Sequence, residues 1–241
     1  MRVLVVSDIH ANFAALRAVP EKFDHVLCLG DTVDYGPDPK PCIEWLQERD
    51  AIAVRGNHDA ALATGQEIGC SPRMRLLAEA TQRLMRVELG AFETEYLGTL
   101  PLQSEVVLGG LRFHLVHATP SAPLYPYVRP DELWRWEEEL EKTACDILLV
   151  GHTHLPMVLK FGKRMVVNPG SVGQPRDGDP RAAYAVIDDG EPLLERATYD
   201  IEATAKRLAA ASLPFDVTDS LTRLLRTGEP NAVWEEGRSR A

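Results

Sequence analysis

Four short apolar runs, at 3–6, 26–29, 51–54 and 147–150, each stop abruptly at residues able to hold a metal. The first gives way to Ser7-Asp8, the second to Gly30-Asp31, the third to Arg55-Gly56-Asn57 and the fourth to Gly151-His152. Runs this short, rich in Val, Ile and Leu and lacking polar alternation, predict strands buried on both faces. Helix-like stretches at 13–19 and 41–48 separate the first three, which makes the order β-α-β-α-β and the sheet parallel. Ligands of such a sheet gather beyond the carboxyl ends of its strands, where these polar residues fall.

The region 64–97 reads as helix, opened by Ser71-Pro72 as N-cap and first-turn proline. A second β-rich section follows. Residues 105–108 and 111–116 flank Gly109-Gly110, a two-residue hairpin turn. Residues 157–160 and 164–167 flank Gly162-Lys163, and 183–187 add another strand. Helices are predicted at 131–142 and 201–225, and from Gly228 onward the chain reads as a tail. Two β sections enclosed by helices predict an α/β fold, a two-sheet β-sandwich flanked by helices. The organisation expected is one domain over 1–227, with a helical insert near 64–97, C-terminal helices near 201–225 and a tail at 228–241.

Composition removes some functions. A net charge of −10 over 241 residues argues against nucleic acid held on a basic surface. No apolar run approaches the roughly 18 residues that span a bilayer. Cys28, Cys42, Cys70 and Cys145 show no CxxC spacing and predict reduced thiols. With no signal-peptide pattern at the N-terminus, the expected location is cytoplasmic.

The metal-capable residues are Asp8 and His10, Asp31, Asn57 and His58, His152 and His154, with His117 after the hairpin strand. Carboxylate, imidazole and amide oxygen without thiolate suit Mn, Fe, Zn, Ni or Mg rather than a cysteine-type structural zinc. The i,i+2 spacing of Asp8/His10 and of His152/His154 is expected to put both ligands on one side of an extended segment. An aspartate after one strand is usually only a turn residue. Six such coincidences at four or five separate strand ends are not explained by turns.

The blocks Asp8-Ile9-His10, Gly30-Asp31-Thr32-Val33-Asp34, Gly56-Asn57-His58-Asp59, the His117 segment and Gly151-His152-Thr153-His154 resemble those of the calcineurin-like metallophosphoesterases. Asn168-Pro169-Gly170-Ser171 resembles the small bacterial and archaeal phosphodiesterase branch. The resemblance implies a four-layer α/β/β/α sandwich and two divalent ions, with Mn the leading candidate. It implies one ion on Asp8, His10, Asp31 and His154, a second on Asp31, Asn57, His117 and His152, and Asp31 bridging. A metal-bridging hydroxide would attack phosphorus in line, His58 would protonate the leaving group, and Asp34 would orient His58.

Arg55 is a candidate for phosphate or for an ion pair beneath the site, and Arg176 for a phosphate clamp or a solvated loop arginine. Tyr35 stands where the family's phosphoprotein phosphatases carry a phosphate-binding arginine, which favours small phosphodiesters through a hydroxyl and an aromatic face. Phosphoprotein phosphatase and dinucleoside-polyphosphate hydrolase remain the enzymatic alternatives. A metal-binding scaffold on the same fold is the non-enzymatic one, disfavoured because His58 and every ligand position are present.

Overall fold

A computed structural model describes residues 1–20 and 22–231, so the part of the expected tail at 232–241 lies outside the described residues. In chain order the first half contains β1 (Arg2–Val6), α1 (Phe13–Arg17), β2 (His25–Cys28), α2 (Pro39–Glu48), β3 (Ile52–Ala53), α3 (Asn57–Thr64), α4 (Pro72–Glu88) and α5 (Ala91–Thr99). The second half contains β4 (Gln103–Leu108), β5 (Leu111–Val116), α6 (Leu133–Glu141), β6 (Ile147–Leu149), β7 (Met157–Phe161) and β8 (Arg164–Asn168). It ends with β9 (Ala182–Asp188), β10 (Glu191–Ala197), α7 (Ile201–Ala210) and α8 (Phe215–Thr227).

These strands form two five-stranded sheets, ordered β10-β9-β1-β2-β3 and β4-β5-β6-β8-β7. The pairs β1–β2 and β2–β3 are parallel, as the β-α-β-α-β order requires, and β9 joins β1 antiparallel. In the second sheet β5, β6 and β8 run parallel.

Alternate residues of one strand serve different cores, which explains the continuous apolarity of the runs. Val3 and Val5 meet Phe113, Leu115, Ile147 and Leu149 between the sheets. Leu4 and Val6 face the other way and pack with Leu16, Ile43 and Leu46 of the helices outside the first sheet. Leu148 and Val166 pack outward against Trp136 and Leu140 of α6. The result is helix, sheet, sheet, helix.

Three expectations are corrected. The predicted helix over 64–97 is interrupted: α3 ends at left-handed Gly65, α4 starts after Ser71, and Gly90 opens α5. The helical pattern over 201–225 is two helices parted by 211–214, where Pro214 caps α8. Strand β10 was not expected, since Glu-Pro-Leu-Leu-Glu-Arg-Ala has neither alternation nor a long apolar run. It lies at the sheet edge, where proline and charge are tolerated.

Candidate metal centre and active site

The parallel register sets the candidate ligands side by side. Val6 pairs with Cys28 and Leu115 with Leu149, so the loops after β1 and β2 leave one sheet together and those after β5 and β6 leave the other. Backbone bonds continue the pairing past the strands, with Asp8 N–H donating to Gly30 O (3.0 Å), His10 N–H to Asp31 O (3.0 Å) and Gly151 N–H to His117 O (2.8 Å). Asn168 stitches the last loop from outside, its Nδ2 donating to Gly151 O (2.7 Å) and Thr153 Oγ1 (3.1 Å), while Ser171 Oγ donates to Asp8 O (2.7 Å).

These loops are sharply bent. Asp8, His10, Asp31, Asp34, Tyr35, His152 and His154 all have positive φ, and only Ala11, Asp50 and Asp189 share that among the other described non-glycine residues. Non-glycine residues avoid this region unless their surroundings impose it, and such strain concentrates at functional sites. The segments of the i,i+2 pairs are therefore not extended. Asp8 and His10 still share a cluster, which His154 joins, while His152 groups with Asp31 and His117, the division the family resemblance implies. Gly56 is needed for the approach of Asp31, because a Cβ on it would lie 2.0 Å from Asp31 Oδ1.

The hydrogen bonds fix what each ring offers. His10 Nδ1 lies 2.9 Å from Val33 O, His117 Nδ1 2.8 Å from Leu29 O and His154 Nδ1 2.5 Å from Gln174 O. A carbonyl only accepts, so each of these nitrogens carries a proton and each Nε2 faces inward, where a bound cation would find its lone pair. His152 is reversed: its Nε2 donates to Tyr125 O (3.2 Å) and its Nδ1 faces inward. Asn57 Nδ2 donates to Ile68 O (2.6 Å), which leaves Oδ1 for the site.

The inward atoms are acceptors crowded on acceptors. His10 Nε2 is 3.3 Å from His154 Nε2, and His154 Nε2 is 3.2 Å from Asp8 Oδ1. On the other side His117 Nε2 is 2.9 Å from Asn57 Oδ1, 3.2 Å from Asp31 Oδ2 and 3.2 Å from His152 Nδ1. Asp8 Oδ1 is buried and accepts no hydrogen bond among the described residues. Lone pairs packed this closely need positive charge between them, so the residues fit divalent cations.

The ionisation tendencies agree. Burial and then neighbouring His154 hold His10 well below the ordinary histidine value, and burial with His117 brings His152 down to about 3. Both are neutral and ready to coordinate. Burial raises the carboxyl of Asp31, but His117 and His58 outweigh it and keep Asp31 ionised. Burial lowers His117, yet Asp31 pulls it up to about 9, so a proton there occupies the place a cation would take.

His58 is different. Its Nδ1 lies 2.7 Å from Asp34 Oδ2, while Nε2 points toward Asp31 Oδ2 at 4.0 Å. Burial lowers its pKa, but Asp31 and Asp34 together raise it above the ordinary value. His58 also groups with His10 and Asp31 within ligand distance, but its carboxylate partner favours the protonated ring. Asp59 takes the N–H groups of Asp31 (2.8 Å), Thr32 (2.9 Å) and Gly56 (3.0 Å), fixing the loop rather than touching the site.

The three proposed substrate contacts fare unequally. Arg176 lines a cavity of about 380 Å³ together with Asp31, Asn57, His58, His152 and His154. Arg55 turns elsewhere: its Nη1 donates to Gly98 O (2.9 Å) in the last turn of α5, and it is not part of the cavity's lining. Tyr35 is 2% exposed, with its ring edge-on to His10 at 4.7 Å and its hydroxyl 3.4 Å from His58 Nε2. Its aromatic face serves the histidines and not a substituent of the substrate. The cavity instead carries Tyr125, Tyr127, Cys70 and Met74, which the motifs did not mark.

The family model for the calcineurin-like phosphoesterase superfamily domain matches residues 1–190. An uncharacterised protein of Methanocaldococcus jannaschii is 30% identical over 236 residues, covering 88% of this chain and 93% of its own length. Phosphodiesterase YfcE of Escherichia coli is 28% identical over 204 residues, covering 78% of this chain and 88% of its own. The crystal structure of a metallophosphoesterase from Sphaerobacter thermophilus superposes with a TM-score of 0.79 at 31% identity, covering 95% of this chain and all of that one. The chain belongs to the calcineurin-like phosphoesterase superfamily and is a phosphoester hydrolase. Its family implies divalent metal ions, and its clustered histidines and aspartates are able to bind them.

Proposed function

We propose that this protein hydrolyses small phosphodiesters with two divalent ions, Mn the leading candidate. Asp8, His10, Asp31 and His154 would hold one ion, and Asp31, Asn57, His117 and His152 the other. Ions held there supply Lewis-acid activation of water and offset charge on the phosphoryl oxygens.

The remaining chemistry belongs to the chain. His58, protonated and oriented by Asp34, gives its Nε2 proton to the departing ester oxygen. That bond of 2.7 Å is the observation that carries the catalytic reading, because a scaffold has no use for a histidine held charged beside the ligands. Arg176, fixed by Gln174 Oε1 through Nε (3.2 Å) and Nη2 (2.7 Å), borders the cavity and takes a phosphoryl oxygen.

The preference for diesters rests on charge. With Tyr35 in place of an arginine and Arg55 turned to α5, Arg176 is the one arginine among the described residues that lines the cavity, which suits a monoanion better than a dianion. The name of the E. coli relative, a phosphodiesterase, points the same way. We place the whole activity on one domain, residues 1–227, in the cytoplasm, in keeping with four unpaired cysteines. Among the described residues no helix is long and apolar enough to cross a membrane.

The test compares kcat/KM for bis-nitrophenyl phosphate, nitrophenyl phosphate and a phosphoserine peptide on one Mn-loaded preparation. The diester is expected to lead. A tenfold preference for the phosphopeptide would overturn the substrate assignment.

A further inference from the structure

Tyr125 and Tyr127 line the cavity beside the candidate ligands, yet the hydrolytic chemistry uses neither. They lie in Leu124-Tyr125-Pro126-Tyr127-Val128, where burial alternates. Leu124 and Val128 are 7% and 1% exposed, whereas Tyr125 and Tyr127 stay 43% and 45% exposed. Buried anchors at either end and a proline of fixed φ between the rings make this a stiff segment.

Each ring is also tied by its hydroxyl. Tyr125 donates to Glu67 O (3.2 Å) and Tyr127 to Thr153 O (2.8 Å). The ring of Tyr125 lies on Gly69, where φ is +73° and an added Cβ would stand 2.4 Å from Cδ1. The pair is fixed relative to the metal ligands as well. His152 Nε2 donates to Tyr125 O (3.2 Å), and the His152 ring stands edge-on to Tyr127 at 5.7 Å between centroids.

Large aromatic rings left half exposed, held rigid and facing a cavity are suited to receive a flat partner at little ordering cost. The guanidinium of Arg176 stands close by, and its charge opposes protonation of His58 and His154. A volume of about 380 Å³ is at the small end of ligand pockets, room for a small molecule and not for a polymer.

We propose that Tyr125 and Tyr127 form a stacking platform for a flat aromatic substituent on the substrate, so that the enzyme selects phosphoesters of the nucleoside class. Arg176, with the ions that the metal ligands would bind, would hold the phosphoryl group while the tyrosines hold the base. The inference rests on the phosphoester reading above, but binding tests it apart from turnover.

The experiment titrates adenosine monophosphate and methyl phosphate into the full-length, Mn-loaded protein by calorimetry. Adenosine monophosphate should bind about tenfold or more tightly, the scale of one aromatic–base stack. Tyr125→Leu with Tyr127→Leu should cut that advantage below threefold, and the Phe pair should keep it. Tyr127→Leu alone, with Tyr125 in place, should show an intermediate ratio. Equal affinity for the two ligands in the wild type overturns the platform, as does an advantage that survives the Leu pair. In parallel, kcat/KM is measured for thymidine 5′-(nitrophenyl phosphate) against methyl nitrophenyl phosphate, and the nucleoside ester should lead about tenfold. Failure to cleave any diester, with the binding preference intact, would overturn the diester reading while supporting the platform.

Discussion

Among the histidines of the site, the partner of the proton-bearing nitrogen decides the role. His10, His117, His152 and His154 each donate to a backbone carbonyl, from Val33, Leu29, Tyr125 and Gln174, which turns the other ring nitrogen inward. His58 alone meets a carboxylate. An acid should matter in proportion to how badly the leaving group needs a proton. His58→Gln is therefore expected to lower kcat about 10²–10⁴-fold for an alkoxide leaving group. For nitrophenolate the loss should be much smaller, with the metal content unchanged. Equal losses for both leaving groups would assign His58 a structural role instead. The candidate ligands and their order could be read from the sequence, since they follow apolar or hairpin strands. The tautomers could not, because every carbonyl that sets them comes from a distant segment or a loop without a motif.

The elements show a similar division. Strands buried on both faces announce themselves as short continuous apolar runs, and β1, β2 and β6 were legible on that account, whereas β5 was marked by the Gly109-Gly110 turn. Edge strand β10 was not, because its exposed positions are filled by glutamate and leucine without pattern. Nor did the sequence show what the insert between α3 and β4 does. Its helix α4 reaches back to the pair that flanks His58. Thr81 Oγ1 accepts the N–H of Tyr35 (3.0 Å), and Gln82 Nε2 donates to Asp34 Oδ2 (3.4 Å). Tyr35 sits at φ +61° and Asp34 at +69°, so the insert helps impose a backbone bend that the residues themselves disfavour. Thr81→Val keeps the shape but leaves the buried N–H of Tyr35 without an acceptor, at a cost of about 1–3 kcal/mol. Urea unfolding should show that loss, and Thr81→Ser should avoid it. An unchanged midpoint for Thr81→Val would mean that the bend is held without α4.

On the scale of the whole molecule the ligands come from both sheets. Asp8, Asp31 and Asn57 follow strands of the first, whereas His117, His152 and His154 follow strands of the second. Cations held among them bind the two layers of the sandwich to each other at one end. Cations there would be structural as well as chemical, because without them buried acceptors face one another at 3.2–3.3 Å. Removing the metal should therefore weaken the entire fold and not only the activity. A ligand present at about 100 times its Kd adds about 2.7 kcal/mol to stability. For a chain of this size each kcal/mol moves Tm by roughly 2–4 °C, so chelation should lower Tm by about 5–10 °C or more. Asp31→Asn, which removes the charge that the two proposed ion sites would share, should be inactive and should lose most of the difference between chelated and Mn-loaded protein. His58→Gln should keep that difference in full, which separates loss of metal from loss of the acid. Calorimetric scans of the three proteins with and without chelator make the comparison. A wild-type Tm that chelator leaves unmoved, or an Asp31→Asn protein that still gains the full shift on adding Mn, would show that the two sheets do not depend on ions bridged by Asp31.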